Sequence, residues 1–393
     1  MKVLQVAASD RGGAGIAALR IHRAVRDHSP WESRFLCLNP STAEGEPLPL
    51  LQARNLTAQR ARMFAGRLLA PSRHAIWQSA NLIPSGLPKK MAAVSGDLIH
   101  LHWPNDELLS IGEFARFDRP VVWTVHDCWP VLPTAHHDVE ECDHLARGLR
   151  RSLAWRKKRE VFSKLDWQIV APSEWMRGQL ERSGLFASAE VRVVPHPLPE
   201  LFSPAPREES RRRFGVDGDR PLLIFRSAPG NERGKGIDLV RATMESLGEK
   251  AFWISYGEGE PGLRAENWLH LGPLSAEALV SLYSAADLLV APSRFESFGM
   301  SVQECLACGA PALVLKGTAP EMFVKNGENG WVVEDSAGSC RSAVLAALGR
   351  ERNDGKRESL AARIREIFAP EKVAAEYAKV YARALERAKE REK

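Results

Sequence analysis

Short apolar runs alternate with helical patterns in two successive series, and this constrains the 393-residue chain more than any other feature. In the first half the runs are Val3–Ala7, Arg34–Cys37, Leu98–Leu101, Val121–Val125, Gln168–Ala171 and Val191–Val194. In the second they are Leu222–Phe225, Phe252–Ser255, Trp268–Leu271, Leu288–Ala291, Ala312–Val314 and Trp331–Val333. Runs so short and so apolar suit parallel strands covered on both faces, joined by helical crossovers. The chain is also too long for one core. Between the two series, Pro195, Pro197, Pro199, Pro204 and Pro206 stiffen the backbone and bar regular pairing, which marks a linker. The expectation is an α/β protein with two doubly wound, Rossmann-like domains facing across a cleft, residues 1–198 and 207–370. A final helix, 371–393, starts beside Pro370 and carries Val373, Tyr377, Val380 and Tyr381 on one stripe. Leu51 to Gly86 fits no simple crossover and reads as extra helices at the mouth of the cleft.

Composition narrows the setting. No run of 18 apolar residues exists, so nothing in the sequence reads as a membrane span. The start Met1–Val6 is too short for a signal peptide and reads as a buried strand. Six scattered cysteines follow no disulfide framework, which suits a reducing cytoplasm. Cys305 and Cys308 form a Cys-x-x-Cys inside an apolar helix pattern and read as packing. The net charge of +5 is unevenly spread. Between Glu46 and Asp97 no acidic residue occurs, while Arg54, Arg60, Arg62, Arg67, Arg73, Lys89 and Lys90 do, interleaved with Leu56, Met63, Phe64, Leu68, Leu69, Ile76 and Trp77. That mixture suits the anionic inner face of a membrane, with a solvated basic helix pair as the plainer alternative. A second cluster, Arg147 to Arg159, lies on a helical pattern before the strand at Gln168. No zinc finger, helix-turn-helix or RNA-recognition signature accompanies these charges, so nucleic acid is not an expected partner.

Chemistry concentrates after Leu288–Ala291, in Pro292-Ser-Arg-Phe-Glu296-Ser-Phe-Gly299-Met-Ser-Val-Gln-Glu304. Glu296 falls in a loop and Glu304 on the helix that follows, whose N–H groups and dipole make an anion site. An anion site flanked by two hydroxyl-binding carboxylates is what a nucleotide-sugar needs. The stretch resembles the Glu-x7-Glu signature of glycosyltransferase family 4, the retaining enzymes of the GT-B fold. Other segments are similar to the same family: Met1–Gly15 with its Gly-rich turn, Trp123-Thr-Val-His126-Asp127, Ala171-Pro-Ser173-Glu-Trp175, Leu282–Asp287 and Asn329–Val333. Departures are Pro195-His196-Pro197-Leu198 in place of Pro-Asn-Gly-Ile, and a lengthened loop from Arg226 to Gly236.

The resemblance implies transfer of a sugar from a nucleoside-diphosphate donor to a hydroxyl of a glycan or lipid-linked acceptor, as in surface or exopolysaccharide synthesis. It places Arg226, Lys235 and the backbone of Phe298, Gly299, Met300 and Ser301 on the diphosphate, with Arg233 competing for the arginine role. Glu296 would hold sugar hydroxyls and Glu304 the ribose. Gly13 and His126 would shape the junction of sugar and acceptor. The final helix would return to the first domain. No cofactor beyond the donor is expected, and no metal, since no Asp-x-Asp pair stands at a strand end.

Other readings stay open. Gly13-x-Gly15-x-x-Ala18 after a strand fits a dinucleotide fingerprint and hence a nicotinamide-dependent oxidoreductase, but Ser33–Asn39 lacks the ribose-binding carboxylate. A catalytically silent sugar-nucleotide-binding protein of the same fold is a third. His100 and His102 also end a strand, on alternating faces, so at most one is expected to point into the cleft. A metal site from these two with His136, His137 and His144 matches no zinc spacing.

Overall fold

The computed structural model describes residues 1–41, 48–50, 56–69, 78–137, 149–216, 220–227, 232–263, 265–350 and 353–391. It divides into two units, Met1–Pro197 with Pro370–Lys393, and Leu198–Ala369.

The first unit is built on β1 (Lys2–Ser9), β2 (Glu32–Asn39), β3 (Leu48–Pro49), β4 (Leu98–Leu101), β5 (Val121–Thr124), β6 (Gln168–Ala171) and β7 (Glu190–Val193). They pair in parallel in the order β3-β2-β1-β4-β5-β6-β7. β4, β5 and β6 are buried at every residue, which explains their unbroken apolar character. The two-residue β3, absent from the sequence reading, joins the edge of the sheet beside Leu36 and Cys37. Its Pro49 is tolerable only at such an edge.

On one face, Ile21 and Val25 of helix Gly12–His28 meet Val3, Leu98, Val122 and Val170. Helix Pro370–Arg391 packs there too, through Val373, Tyr377, Val380 and Tyr381. Its phenols reach the strands: Tyr381 Oη lies 2.8 Å from His100 Nδ1, and Tyr377 Oη 3.1 Å from Thr124 Oγ1. Trp123, one residue along β5 from Val122, points to the other face and packs with Phe114, Trp129 and Phe162. Helix Leu149–Phe162 carries most of the second basic cluster, whose Arg147 lies outside the described residues. Lys158 in that cluster is no surface cation. Its ammonium is buried 3.7 Å over the Trp129 ring and donates to the carbonyls of Trp129 and Leu132. Burial pushes its pKa well down, opposed by the charge of Asp127.

The second unit is built on β8 (Leu222–Arg226), β9 (Phe252–Tyr256), β10 (Trp268–His270), β11 (Leu288–Ala291), β12 (Ala312–Leu315) and β13 (Gly330–Val333). All pair in parallel, in the order β10-β9-β8-β11-β12-β13. Side chains alternate as a strand requires. Leu222 and Ile224 enter a core with Tyr256, Tyr283, Phe298 and Val302. Leu223 and Phe225 enter another with Ile237, Val240 and Trp253. Strand order reverses between β1 and β4 in the first sheet and between β8 and β11 in the second. Such switch points are where open α/β sheets bind ligands, at the carboxyl ends of the strands. Among the described residues no helix is long and apolar enough to cross a membrane.

One buried carboxyl makes the first unit pH-sensitive. Glu107, in left-handed backbone at φ 55°, is 3% exposed and accepts from the Asn81 N–H at 3.2 Å. Burial pushes its pKa from 4.5 to about 7, aided by Asp106 and opposed by backbone N–H groups and Arg62. A raised carboxyl pKa means the folded form holds the proton longer. The resulting stabilisation is complete below pH 4.5 and is lost as pH rises through 7, a loss of up to roughly 3 kcal/mol at 1.36 kcal/mol per unit. Glu107→Gln should remove that slope. The difference in unfolding free energy between pH 8 and pH 5 should shift in favour of pH 8 by roughly 2–3 kcal/mol in the variant, on top of the opposite slope set by the buried neutral histidines. An unchanged difference would assign the pH dependence elsewhere.

Candidate active site

In the second unit, the loop from Pro292 to Gly299 leaves β11 beside the turn Glu232–Gly236, which opens helix Ile237–Leu247. Gly236 has φ +68°, and a Cβ there would stand 2.1 Å from the Pro292 carbonyl oxygen. Only glycine lets the two segments meet so closely. Arg294 ties them: its guanidinium binds Asp238 at 2.7 Å, Asp335 at 2.7 Å and the Arg233 carbonyl at 2.8 Å. Its own N–H donates to the Gly234 carbonyl at 2.8 Å. With the turn fixed, Lys235 Nζ reaches Glu296 Oε2 at 2.5 Å, both side chains partly open to solvent. Sequence reasoning named the ends of this pair but not Arg294, whose partners lie 41 to 61 residues away.

The next helix, Met300–Ala307, starts at Gly299 in left-handed backbone, with no side chain capping it. A Cβ on Gly299 would meet Pro320 at 2.6 Å, so this entry too requires glycine. Phe298 is 2% exposed and packs on Phe323 and Phe368, so its ring anchors the loop and only its backbone can serve a ligand. A cavity at the ends of β8 and β11 is lined by Arg226, Lys235, Ser293 and Ser301. Glu304 is buried within the helix and accepts from Tyr283 Oη at 3.1 Å, which lies 2.9 Å from Tyr256 Oη. Burial pushes both phenol pKa values up, so each remains a neutral donor. Arg226 stands exposed at the tip of β8; desolvation lowers its pKa, and the carboxylates of Glu296 and Glu304 are among the groups that outweigh this and raise it. The two tyrosines were missed as site residues. Tyr256 at a strand's carboxyl end was the available signal. Cys305 and Cys308 are buried free thiols with pKa values raised by burial.

In the first unit the turn after β1 places Gly12 at φ +69° and Gly13 in the first turn of its helix. A Cβ on Gly15 would stand 2.5 Å from the Ser9 carbonyl oxygen, so Gly15 serves helix–strand packing. His126 follows β5 and is 9% exposed. Burial lowers its pKa to about 4 against the opposing charge of Asp127, so the ring is neutral at physiological pH. Asp127 does not orient it. That carboxylate is held by His136 Nδ1 at 2.7 Å, Trp103 Nε1 at 2.9 Å and the Trp129 N–H at 2.9 Å. His102 Nδ1 instead lies 3.1 Å from His126 Nε2, and the His196 ring lies tilted against the same ring with centroids 5.2 Å apart. The expectation that His100 and His102 face opposite ways is corrected: their rings lie 4.1 Å apart. Residues two apart on a strand share a face. Among the described residues no group of three His, Cys, Asp or Glu could hold a metal ion, and His144 lies outside them.

Comparison with known proteins agrees with this architecture. Residues 11–199 match the family model described as Glycosyltransferase Family 4, and residues 262–367 that of Glycosyl transferases group 1. The chain is 30% identical over 318 residues to a D-inositol 3-phosphate glycosyltransferase of Xylanimonas cellulosilytica, covering 74% of this chain and 73% of that one. The enzyme of that description from Mycolicibacterium smegmatis is 30% identical over 278 residues, 65% of this chain and 60% of that one. Among solved structures, sucrose-phosphate synthase from Thermosynechococcus elongatus superposes with a TM-score of 0.69 at 15% identity, covering 97% of this chain and 98% of that one. HepE of Anabaena, solved with UDP and glucose, gives 0.68 at 17% identity, covering 97% and 99%. Fold and comparisons together define a GT-B glycosyltransferase. The chain belongs to glycosyltransferase family 4, the retaining enzymes that use a nucleotide-sugar donor. That membership sets the oxidoreductase reading aside.

The close approach at Gly236 can be tested against a neutral control. Gly236→Ala should cost at least about 1–2 kcal/mol from left-handed backbone alone, before the clash with Pro292 is added. Gly338→Ala, in a helix with nothing within 4 Å of the new methyl, should instead be neutral or stabilising by about 0.5–1 kcal/mol. Urea unfolding of the two variants should separate them, and equal midpoints would discount the Gly236 contact.

Proposed function

We propose that this chain transfers a hexose from a nucleoside-diphosphate donor to a hydroxyl of a glycan or lipid-linked acceptor in surface or exopolysaccharide synthesis. The Lys235–Glu296 pair at the switch point of the second sheet carries the reading, since it sets a cation and a hydroxyl-binding carboxylate beside an uncapped helix start. Lys235, Arg226 and the backbone from Phe298 to Ser301 hold the diphosphate. Glu296 binds sugar hydroxyls, and Glu304, steadied by Tyr283, binds the ribose. Gly13 gives the acceptor a bare backbone to approach, and neutral His126 accepts a hydrogen bond from a hydroxyl at the reacting centre. The acceptor oxygen bonds to the anomeric carbon on the face from which the diphosphate leaves, and the acceptor's proton passes to the departing phosphate oxygen. Positive charge at Lys235 and Arg226 stabilises that oxygen most as the bond breaks. UDP, bound by HepE, is the first donor base to try, and D-inositol 3-phosphate, named in the relatives, is the competing acceptor. A thermal-shift panel of nucleoside diphosphates and a turnover panel of acceptors decide both.

Because protein cations serve the leaving group, transfer should persist in a chelator. Lys235→Ala should lose on the order of 3 kcal/mol of transition-state stabilisation, with a smaller loss of donor affinity. Glu304→Ala should weaken nucleoside-diphosphate binding by roughly 1–3 kcal/mol. Activity abolished by chelation and restored by magnesium, with Lys235→Ala near normal, would overturn this mechanism. So would a silent protein that binds donor without turnover.

The lipid-linked acceptor is favoured by helix Leu56–Leu69, where Phe64 and Leu68 are 66% and 58% exposed among Arg60 and Arg67. Arg54, Arg73, Ile76 and Trp77 of that basic stretch lie outside the described residues. Docking on anionic lipid should add about 1 kcal/mol per basic residue at the surface. Co-sedimentation with vesicles should require acidic lipid, fade as salt rises and drop in Phe64→Ser with Leu68→Ser. Retention on neutral vesicles at high salt would turn the choice toward a soluble acceptor.

A further inference from the structure

His126 belongs to a row of buried polar side chains that runs under the first sheet's switch point. Gln5 Nε2 donates to Ser33 Oγ at 2.9 Å, which leaves Gln5 Oε1 facing His102 Nε2 at 2.9 Å. An amide oxygen only accepts, so His102 Nε2 carries the proton. His102 Nδ1 is then an acceptor, and its neighbour at 3.1 Å, His126 Nε2, must donate. The far end closes on His22 Nδ1, 2.8 Å from Ser33 Oγ. Gln5 and His102 are fully buried, and burial holds the His102 ring neutral. Solvent therefore offers neither residue a substitute partner.

We propose that Gln5 and His102 are positioning residues that lock His126 in the Nε2–H tautomer and keep its Nδ1 lone pair as the acceptor used in sugar transfer. This rests on the role given to His126 above. A carboxylate in the place of His102 would hold the same proton but draw the ring toward imidazolium, and a cationic ring has no lone pair left to accept with. A neutral imidazole backed by a neutral amide fixes the tautomer without charging the ring. Asp127, one residue away, spends its oxygens on His136, Trp103 and Trp129, which keeps it out of this row.

Histidine-labelled native protein gives the direct readout. At neutral pH the nitrogen resonances of His126, assigned by their loss in His126→Gln, should show a protonated Nε2 and a bare Nδ1. His102→Leu should lower kcat by about 10–100-fold, the range lost when the partner orienting a histidine is removed from metal sites. Its donor KM should stay close to native. His102→Asn, whose Oδ1 can stand in for the accepting nitrogen, should recover most of the rate. If the leucine variant does not fold, Gln5→Leu takes its place with the same kcat expectation. A protonated Nδ1 on His126 would mean that the row runs in reverse, and would overturn the proposal. So would a leucine variant of native kcat. If the native protein transferred no sugar to any acceptor, the functional reading would fall with the kinetic arm, while the resonances would still decide the direction of the row.

Discussion

A lysine from one loop and a glutamate from another stand 2.5 Å apart because a guanidinium holds the loops together. Arg294 grips Asp238, Asp335 and the Arg233 carbonyl, and Gly236 lets the turn press on Pro292 without a side chain between. The forked geometry of arginine suits this task, since one planar group satisfies two carboxylates bidentately, which an ammonium cannot do. Everything assigned to the donor's phosphates depends on that clamp. Were it loosened, Lys235 and the start of helix Met300–Ala307 would no longer share one position. Each would still be present, but they would not act on the same oxygens.

The first unit handles charge in the opposite way. Its histidines His100, His102 and His196 are kept neutral by burial, and so is His126. Its buried Lys158 is shared between two carbonyls and an aromatic face. Where the second unit concentrates formal charge around Lys235, Glu296 and Arg294, the row around His126 in the first arranges uncharged donors and acceptors whose directions are fixed by their neighbours. That difference suits the two halves of a transfer reaction: a diphosphate is held by charge, and a hydroxyl is aligned by hydrogen bonds.

The strands could be read from sequence because parallel sheets covered on both faces demand continuous apolar runs, and these stand out in Leu222–Arg226 or Leu98–Leu101. The two-residue β3 could not, since a pair of residues carries no periodicity. Glu296, Glu304 and Gly299 were legible because their spacing along one loop and helix already states their relation in space. Arg294 and the Tyr256–Tyr283 pair were not, because their roles depend on which distant loops meet. Lys158 looked like one more cation in a basic helix. Its burial follows from the aromatic cluster beneath, which the helix pattern alone does not reveal. The shared face of His100 and His102 was available from strand geometry and was misread.

The helix Pro370–Arg391 fills a core that begins with Val3, yet the whole second unit is encoded between them. During synthesis, the sheet of the first unit emerges from the ribosome with the surface reserved for Tyr377 and Tyr381 still bare. The phenols that partner His100 and Thr124 follow only after the second unit has been made. Completion of the first unit therefore waits on synthesis of the second, and the nascent chain must keep an apolar face soluble for the time needed to make residues 198–369. A chaperone, or early closure of the second unit as an independently folding block, would be selected for by that delay.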